Sequence, residues 1–173
     1  AMYHGNVAHL DDCIGQVLSA VAELGLEQDT IVVYSSDHGE MLGEHGLWNK
    51  FVFYEPSVGV PLFVRVPGLT QPNTVCKTPV SQVSLYATLL ELCGLPAFSR
   101  LDADSLVPLI REPGRRTVAT VYAEFALRSR NAKYMIRRGD WKYSFYVNDL
   151  PELYYLREDP LEINNLALEP EHK

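Results

Sequence analysis

Asp37 and His38 stand side by side after an apolar run at residues 31–34, and Lys50 follows twelve positions later. A carboxylate and an imidazole at the end of a buried strand can both reach one divalent metal ion, and this ligand pair suits Mn, Zn or Fe. Further carboxylates around the ion would favour Ca or Mg instead. Lys50 supplies a compact positive charge that can hold an anionic oxygen. The stretch therefore indicates a strand end that carries chemistry, which is where open α/β sheets place their ligand sites.

A structural role is the alternative interpretation of the same residues. Asp37 can cap a following helix, with His38 an ordinary surface histidine. Short motifs often occur by chance, and metal sites with open positions usually have three or more protein ligands. Glu40, Glu44 and His45 are additional polar candidates in this loop. The dipeptide alone leaves both interpretations open.

Composition and charge exclude several classes of protein. The chain has 173 residues, enough for one domain of ordinary size, with 47% hydrophobic and 21% charged residues. Its net charge of −7 argues against a nucleic-acid partner, because phosphate neutralisation needs clustered Lys and Arg. No apolar run approaches the roughly 20 residues of a membrane helix, and no signal peptide is seen. We therefore expect a cytoplasmic protein with neither a nucleic-acid nor a membrane partner.

Three cysteines, Cys13, Cys76 and Cys93, are widely spaced and form no CxxC pair. An odd number without metal-ligand spacing is typical of reduced thiols in a reducing compartment. Free cysteines are among the most buried residue types. We therefore expect these three to be mostly buried core residues.

Two kinds of periodicity divide the chain near residue 112. Before it, apolar residues at helical spacing predict amphipathic helices over residues 7–24 and 81–92, with short apolar strands at 30–35 and 61–66. After it, β-rich segments with turn signals such as Arg138-Gly139-Asp140 predict an antiparallel sheet, and residues 161–172 are expected to form a closing helix. The predicted domains are an α/β part, 1–112, and a small β-rich part, 113–173.

The string YSSDHGEMLGEHGLWNKFVFYEPSVGVPLFVRVPG, residues 34–68, resembles the second metal-ligand block of the sulfatase family, within the alkaline phosphatase superfamily. The resemblance continues in family order through YHGNVAHLDDCIGQVL before it and VSQVSLYATLLELCGLP after it, and GDWKYSFYVNDLPELYYLREDPLEINNLA is similar to the family's closing sheet and tail. It implies part of an alkaline-phosphatase-like α/β sandwich, with parallel strands and flanking helices. A small C-terminal antiparallel β subdomain with a terminal helix is expected to follow.

The resemblance also implies a reaction, the metal-dependent hydrolysis of a sulfuric ester. In the family, a metal ion and basic side chains hold the sulfuryl group while a formylglycine hydrate, made from Cys or Ser, attacks it. Carried over by position, Asp37 and His38 match two metal ligands, and Lys50 matches the catalytic lysine that contacts the substrate oxyanion. His45 is a weaker substrate-binding candidate and equally a structural loop residue. The implied metal is one divalent ion, Ca or Mn by preference, with Mg or Zn as alternatives.

Two alternatives to a sulfatase follow from the same residues. Many sulfatases carry Asn where His38 stands, and the Asp-His pair is similar to the branch of choline-sulfatases and phosphonate monoester or phosphodiester hydrolases. The expected small-molecule substrate is therefore a sulfate or a phosphonate ester. The other alternative is a non-catalytic remnant that acts as an oligomerising or binding module.

The nucleophile signature of the family, Cys or Ser in the pattern Cys-x-Pro-x-Arg, matches none of the three cysteines. The early acidic metal block is absent as well, and His4 and His9 are expected on a helix surface. Ala1 before Met2 resembles a vector-derived residue ahead of a start codon. We therefore expect a truncated gene or cut domain, whose missing N-terminal portion held the formylglycine and any export signal. Such a chain would be inactive alone and would self-associate through the surface normally covered.

Overall fold

The computed structural model describes residues 2–97, 100–115 and 117–170 of the chain. Within these ranges the chain forms two compact units. The first contains residues 2–34 and 62–72, and the second contains residues 35–61 and 73–170. The domain boundary that the sequence indicates near residue 112 is a different division and stays a prediction.

The first unit consists of one long helix and two short strands. Helix α1 spans Met2–Glu23, and strands β1 (Val32–Ser35) and β2 (Leu62–Arg65) form a two-stranded sheet. Gly25 ends the helical run with φ at 69°, a left-handed conformation that glycine adopts without a steric penalty. The predicted helix and both predicted strands are confirmed.

The apolar residues of this first unit are largely exposed. Helix α1 has no buried residue, and its apolar side chains Val7, Leu10, Val17 and Leu18 are 40–64% exposed. Strand β1, expected to be a buried strand, is only half-buried, and Phe63 of β2 is 66% exposed. The expectation of full burial was wrong for β1, because its sheet has only two strands among the described residues.

The second unit combines a helical part with an antiparallel sheet. Its helices are a 3₁₀ turn at Glu44–Gly46, then α2 (Glu55–Val58), α3 (Ser84–Leu92) and α4 (Val107–Arg111). Its strands, in sheet order, are β3 (Thr120–Phe125), β4 (Lys133–Arg138), β5 (Trp141–Tyr146) and β6 (Glu152–Tyr155). This confirms the C-terminal antiparallel β part. The helix expected over 161–172 is a single 3₁₀ turn at Leu166–Leu168, and its last two positions lie outside the described residues.

The register of the central hairpin comes from a two-residue turn. Arg138 pairs with Trp141, and Gly139 between them has φ at 59°. Along β5 the buried positions are Lys142 and Ser144, whereas the aromatic residues on either side of them are exposed. Simple alternation of apolar and polar residues would predict the opposite faces.

All three cysteines are exposed, so the prediction of buried thiols was wrong. Cys13 lies on α1, which has no buried residue, and Cys93 follows the last residue of α3. Burial depends on what covers a position, and the residue type alone does not determine it. His4 and His9 are exposed on α1 as predicted.

In the described part of the chain, no helix combines the length and the apolar character needed to cross a lipid bilayer. The cytoplasmic location stays a prediction.

Candidate active site

The two predicted metal ligands lie in the loop that follows β1. Nδ1 of His38 lies 2.8 Å from the carbonyl oxygen of Gly39. Because a carbonyl oxygen only accepts, this nitrogen carries the hydrogen, and in the neutral ring Nε2 keeps its lone pair. Nε2 lies 3.4 Å from Oδ2 of Asp37. The loop therefore brings one nitrogen and one oxygen ligand atom to the same point.

The carboxylate of Asp37 is held in its charged form. The hydrogen bond from the backbone N–H of His38 to Oδ1, 3.0 Å long, is the main reason that the pKa of Asp37 lies below its usual value. The positive charge of Lys50 lowers this pKa further. The side chain is 84% exposed, so an ion from solvent can reach it.

This pair fits a divalent metal ion. Ligand bonds of about 2.0–2.6 Å place neighbouring ligand atoms about 3 Å apart, close to the separation of Asp37 Oδ2 and His38 Nε2. Metal-bound histidines usually donate their other N–H to a carboxylate or carbonyl oxygen, as His38 does to Gly39. The helix-cap alternative receives no support, since the first helical turn after Asp37 begins only at Glu44.

The set of ligands is incomplete within the described ranges. They contain no group of three or more His, Cys, Asp or Glu side chains that could hold a metal ion. Metal sites with open positions usually need at least three protein ligands. Asp37 and His38 therefore make up part of such a site, and their role as ligands stays a prediction.

Lys50 is exposed, and its backbone carbonyl group is fixed by a hydrogen bond from a buried residue. The Ser57 hydroxyl donates a 2.9 Å hydrogen bond to the carbonyl oxygen of Lys50. The charge of Lys50 is close enough to Asp37 to contribute to the lowered pKa of that carboxyl. The structure thus places the predicted oxyanion-binding lysine within electrostatic reach of the predicted metal ligands.

The loop from Asp37 to Lys50 packs against the backbone of α2. The N–H of Gly39 donates to the carbonyl oxygen of Ser57 at 2.8 Å, and the N–H of Met41 donates to that of Asn49 at 3.0 Å. A Cβ on Gly39 would lie 2.0 Å from the carbonyl oxygen of Pro56. Only glycine permits this approach, and Met41 of the same loop is fully buried.

His45 has structural partners. Its ring stacks on Tyr54, with the centroids 3.8 Å apart and the planes 4° from parallel. Its Nε2 lies 3.0 Å from the carbonyl oxygen of Leu161 and therefore donates to it. These contacts favour the structural alternative for His45. Its role in substrate binding stays a prediction.

Sequence reasoning missed a cluster of charged residues that anchors α2. We call Glu55, Arg137, Lys142 and Glu162 the buried ion cluster. Nζ of Lys142 lies 2.9 Å from Glu55 Oε1 and 2.5 Å from Glu162 Oε1, and Arg137 Nη1 lies 3.0 Å from Glu55 Oε2. The backbone N–H of Glu55 donates to Glu162 Oε2 at 2.6 Å. The first residue of α2 is thereby joined to strands β4 and β5.

Burial makes this cluster sensitive to charge. Lys142 and Glu162 are each 1% exposed. Glu162 Oε1 contacts Nζ of Lys142 as an ion pair, and Glu162 Oε2 accepts the backbone N–H of Glu55. Burial raises the pKa of Glu162, and the positive charge of Lys142 opposes this effect. No sequence signal indicated the cluster, because a lysine between two aromatic residues of a strand looks like a surface residue.

Two tyrosines make a second connection from this region to the sheet. The hydroxyl groups of Tyr54 and Tyr146 each donate a 2.6 Å hydrogen bond to Glu152. Burial raises the pKa of both phenols, and it raises that of Tyr154 to about 12. All three phenols therefore keep their protons near neutral pH, and the loop after Lys50 is joined to β5 and β6.

The family assignment follows from comparison with known proteins. Residues 1–95, more than half of the chain, match the family model described as Sulfatase. The chain belongs to the sulfatase family. Members of this family are hydrolases that act on sulfate esters, and they generally use a metal ion and a formylglycine.

Individual sulfatase relatives match nearly the whole chain. A choline-sulfatase of Rhizobium meliloti (strain 1021) is 36% identical over 172 residues, which are 97% of this chain and 33% of the relative. A solved protein structure, determined in complex with its substrate D-glucosamine-2-N,6-O-disulfate, superposes on this chain with a TM-score of 0.87 at 28% identity. The match covers 96% of this chain and 35% of the solved one.

A solved phosphonate monoester hydrolase of Agrobacterium radiobacter is also similar, with a TM-score of 0.79 at 28% identity over 96% of this chain and 36% of that one. These matches confirm an alkaline-phosphatase-like fold for the chain. The chain spans about a third of the length of the curated relatives that it matches.

Proposed function

We propose that the chain carries one part of a sulfatase active site, in which Asp37 and His38 bind a divalent metal ion and Lys50 holds an anionic oxygen of the substrate. The observation that supports this is the 3.4 Å separation of Asp37 Oδ2 and His38 Nε2, with the other ring nitrogen donating to Gly39. Both ligand atoms are thereby oriented before any ion binds.

Each residue has a separate part in the proposed reaction. When bound, the metal ion neutralises negative charge on the sulfuryl oxygens. Lys50 would add a second positive charge beside the same group, and the effect of its charge on the pKa of Asp37 supports this role. We propose Ca or Mn as the metal by resemblance to the sulfatase family, with Mg and Zn as alternatives, because carboxylates suit Ca, Mg and Mn and imidazole suits Zn.

The nucleophile of the proposed reaction must come from residues other than Asp37, His38 and Lys50. None of the three cysteines stands in the Cys-x-Pro-x-Arg pattern, so a formylglycine would belong to another polypeptide segment. We propose that the chain by itself does not turn over aryl sulfates, aryl phosphonates or aryl phosphodiesters. Turnover with added Ca or Mn that disappears in Lys50→Ala would contradict this proposal.

Metal binding is the direct test of the proposed function. Titration of the chain with Mn²⁺, followed by electron paramagnetic resonance, should show weak binding that Asp37→Asn or His38→Ala reduces at least tenfold. Asp149→Asn is the matched control. Asp149 is an exposed acid of the same unit, and its carboxylate accepts a hydrogen bond from the backbone N–H of the next residue, Leu150. Equal Mn²⁺ binding by all of these variants would remove the basis of the proposal.

Phosphonate monoesters and phosphodiesters are the second candidate substrates. The similarity to the phosphonate monoester hydrolase of Agrobacterium radiobacter supports them, as does the Asp-His pair. Phenyl methylphosphonate, which is a phosphonate monoester, and phenyl sulfate can be compared by how well each protects Lys50 from acylation in the presence of Mn²⁺. Stronger protection by the phosphonate would favour the second candidate over the sulfate ester.

The exposed apolar side of α1 supports a further proposal, self-association of the chain. This side includes Val7, Leu10, Val17 and Leu18, and exposed apolar surface of this kind usually marks an interaction site. Sedimentation velocity should show dimers or larger species that Leu10→Asp with Val17→Asp converts to monomers. Glu23→Gln is the control on the same helix. A wild-type monomer at high concentration would contradict self-association and the alternative of an oligomerising module.

A further inference from the structure

Ser57 makes two contacts that join both sides of the candidate site. Its hydroxyl donates to the carbonyl oxygen of Lys50 at 2.9 Å, and its own carbonyl oxygen accepts the N–H of Gly39 at 2.8 Å. The residue is 2% exposed, so water does not compete for either bond. One buried residue therefore holds the segment after the metal-ligand pair and the backbone of the lysine.

We propose that Ser57 is a positioning residue, which sets the distance between the Lys50 ammonium group and the Asp37–His38 pair. The proposal rests on the proposed function for the roles of those three residues. It adds a residue that touches neither the metal nor the substrate and acts through the backbone on both of its partners.

The need for such a residue follows from the exposure of the site. Lys50 is an exposed, flexible side chain, and an unconstrained loop would lose conformational entropy each time it brought the ammonium group to the metal ligands. Fixing the carbonyl of Lys50 removes part of that cost before the substrate binds. Because Ser57 uses its side chain for Lys50 and its main chain for Gly39, movement of Ser57 displaces both segments together.

The structure also holds Ser57 itself in place. Its helix α2 begins at Glu55, whose side chain belongs to the buried ion cluster. The backbone of α2 lies so close to Gly39 that a Cβ there would overlap the Pro56 carbonyl. Ser57 is thus positioned by the C-terminal sheet on one side and by the loop on the other.

A zero-length cross-link between Asp37 and Lys50 tests the proposal. A water-soluble carbodiimide activates the Asp37 carboxylate, and the Lys50 amine displaces the urea to form an amide only when the two groups can touch. Mass spectrometry of the digested chain gives the yield. We expect a cross-link in the wild-type chain, a yield at least threefold lower in Ser57→Ala, and recovery of most of the yield in Ser57→Thr, which keeps the hydroxyl.

The matched control is Thr88→Ala. Thr88 is also 2% exposed, and its hydroxyl donates to Ser84 and accepts from the N–H of Leu106, away from the loop. This variant loses a buried hydroxyl of the same kind, so we expect it to keep the wild-type cross-link yield. A yield that falls equally in Thr88→Ala would overturn the proposal in favour of general loosening of the fold. An unchanged yield in Ser57→Ala, or none in the wild-type chain, would overturn it too.

Mn²⁺ separates this test from that of the proposed function. If Asp37 binds the ion, added Mn²⁺ protects its carboxylate from the carbodiimide and lowers the cross-link yield in the wild-type chain. Absence of protection would count against metal binding at Asp37. The dependence of the metal-free cross-link on Ser57 would still decide whether Ser57 positions Lys50.

Discussion

Replacing Lys142 with Met removes the central cation of the buried ion cluster while keeping a side chain of similar length. Nζ of Lys142 lies 2.9 Å from Glu55 and 2.5 Å from Glu162. Glu55 keeps its contact with Arg137 after the change, but Glu162, at 1% exposure, contacts no other cation among the residues that the structure describes. Removing one partner of a buried ion pair costs about 3–5 kcal/mol, because it leaves the other charge uncompensated. We expect Lys142→Met to lower the free energy of unfolding by an amount in this range at pH 7.

Urea unfolding followed by tryptophan fluorescence measures the loss, because Trp48 and Trp141 both belong to the second unit. With a slope of about 1–3 kcal/mol per molar urea, the midpoint should fall by about 2 M. Arg157→Met is the control: its ion pair with Asp140 is 2.6 Å long but 70% and 36% exposed. Exposed pairs contribute about 0–1 kcal/mol, so this control should shift the midpoint far less.

The destabilisation caused by Lys142→Met should depend on pH, through the protonation of Glu162. The pKa of Glu162 in the folded chain is raised above its usual 4.5, chiefly by burial, so the folded state binds this proton more tightly than the unfolded state. Its contribution to stability therefore decreases as the pH rises from about 4.5 through the raised value. Without Lys142 the pKa rises further, and the loss caused by Lys142→Met should be smaller at pH 5 than at pH 7.

Adding Glu162→Gln to Lys142→Met should recover part of the loss, because no buried charge is then left alone. The reasoning is refuted if Lys142→Met costs no more than Arg157→Met at pH 7. It is also refuted if the loss is the same at both pH values.

Three further outcomes are expected from the same structure. Gly39→Ala should destabilise the second unit by about 1–3 kcal/mol, because its Cβ would lie 2.0 Å from the Pro56 carbonyl oxygen; Gly114→Ala, with nothing within 4 Å, is the control in the same urea assay. Tyr54→Phe should cost about 1–2 kcal/mol through the lost hydrogen bond to Glu152, and thermal unfolding would show no change if that bond contributes nothing. All three cysteines should react with a thiol reagent in the folded chain within minutes, and a slow, unfolding-limited phase would contradict their exposure.

The local parts of the candidate site could be predicted from the sequence. Asp37 and His38 are neighbours in the chain, so both residues lie at the same strand end, whereas the 3.4 Å approach of their side chains is seen only in the structure. The turn at Arg138-Gly139-Asp140 and the antiparallel strands around it were predictable for the same reason, since pairing across a two-residue turn involves residues near in sequence.

Contacts between distant segments could not be predicted in this way. No sequence pattern singled out Ser57, and its link to Gly39 across 18 positions exists only because α2 lies against the loop. Lys142 and Glu162 are polar residues whose burial depends on a covering loop and a short helix. The three cysteines showed the opposite error, because residues that are usually buried lie here on exposed surface.

The amino-acid sequence by itself indicated the family, the candidate ligand pair, the helices α1 and α3 and the strands around them, because these depend on residue type and short spacing. The tertiary structure alone decided which side chains are buried and which distant segments meet, including Ser57 beneath Lys50 and Glu55 beside Lys142. The physical reason is that burial and long-range hydrogen bonds depend on which elements pack together. A single residue carries no information on that packing.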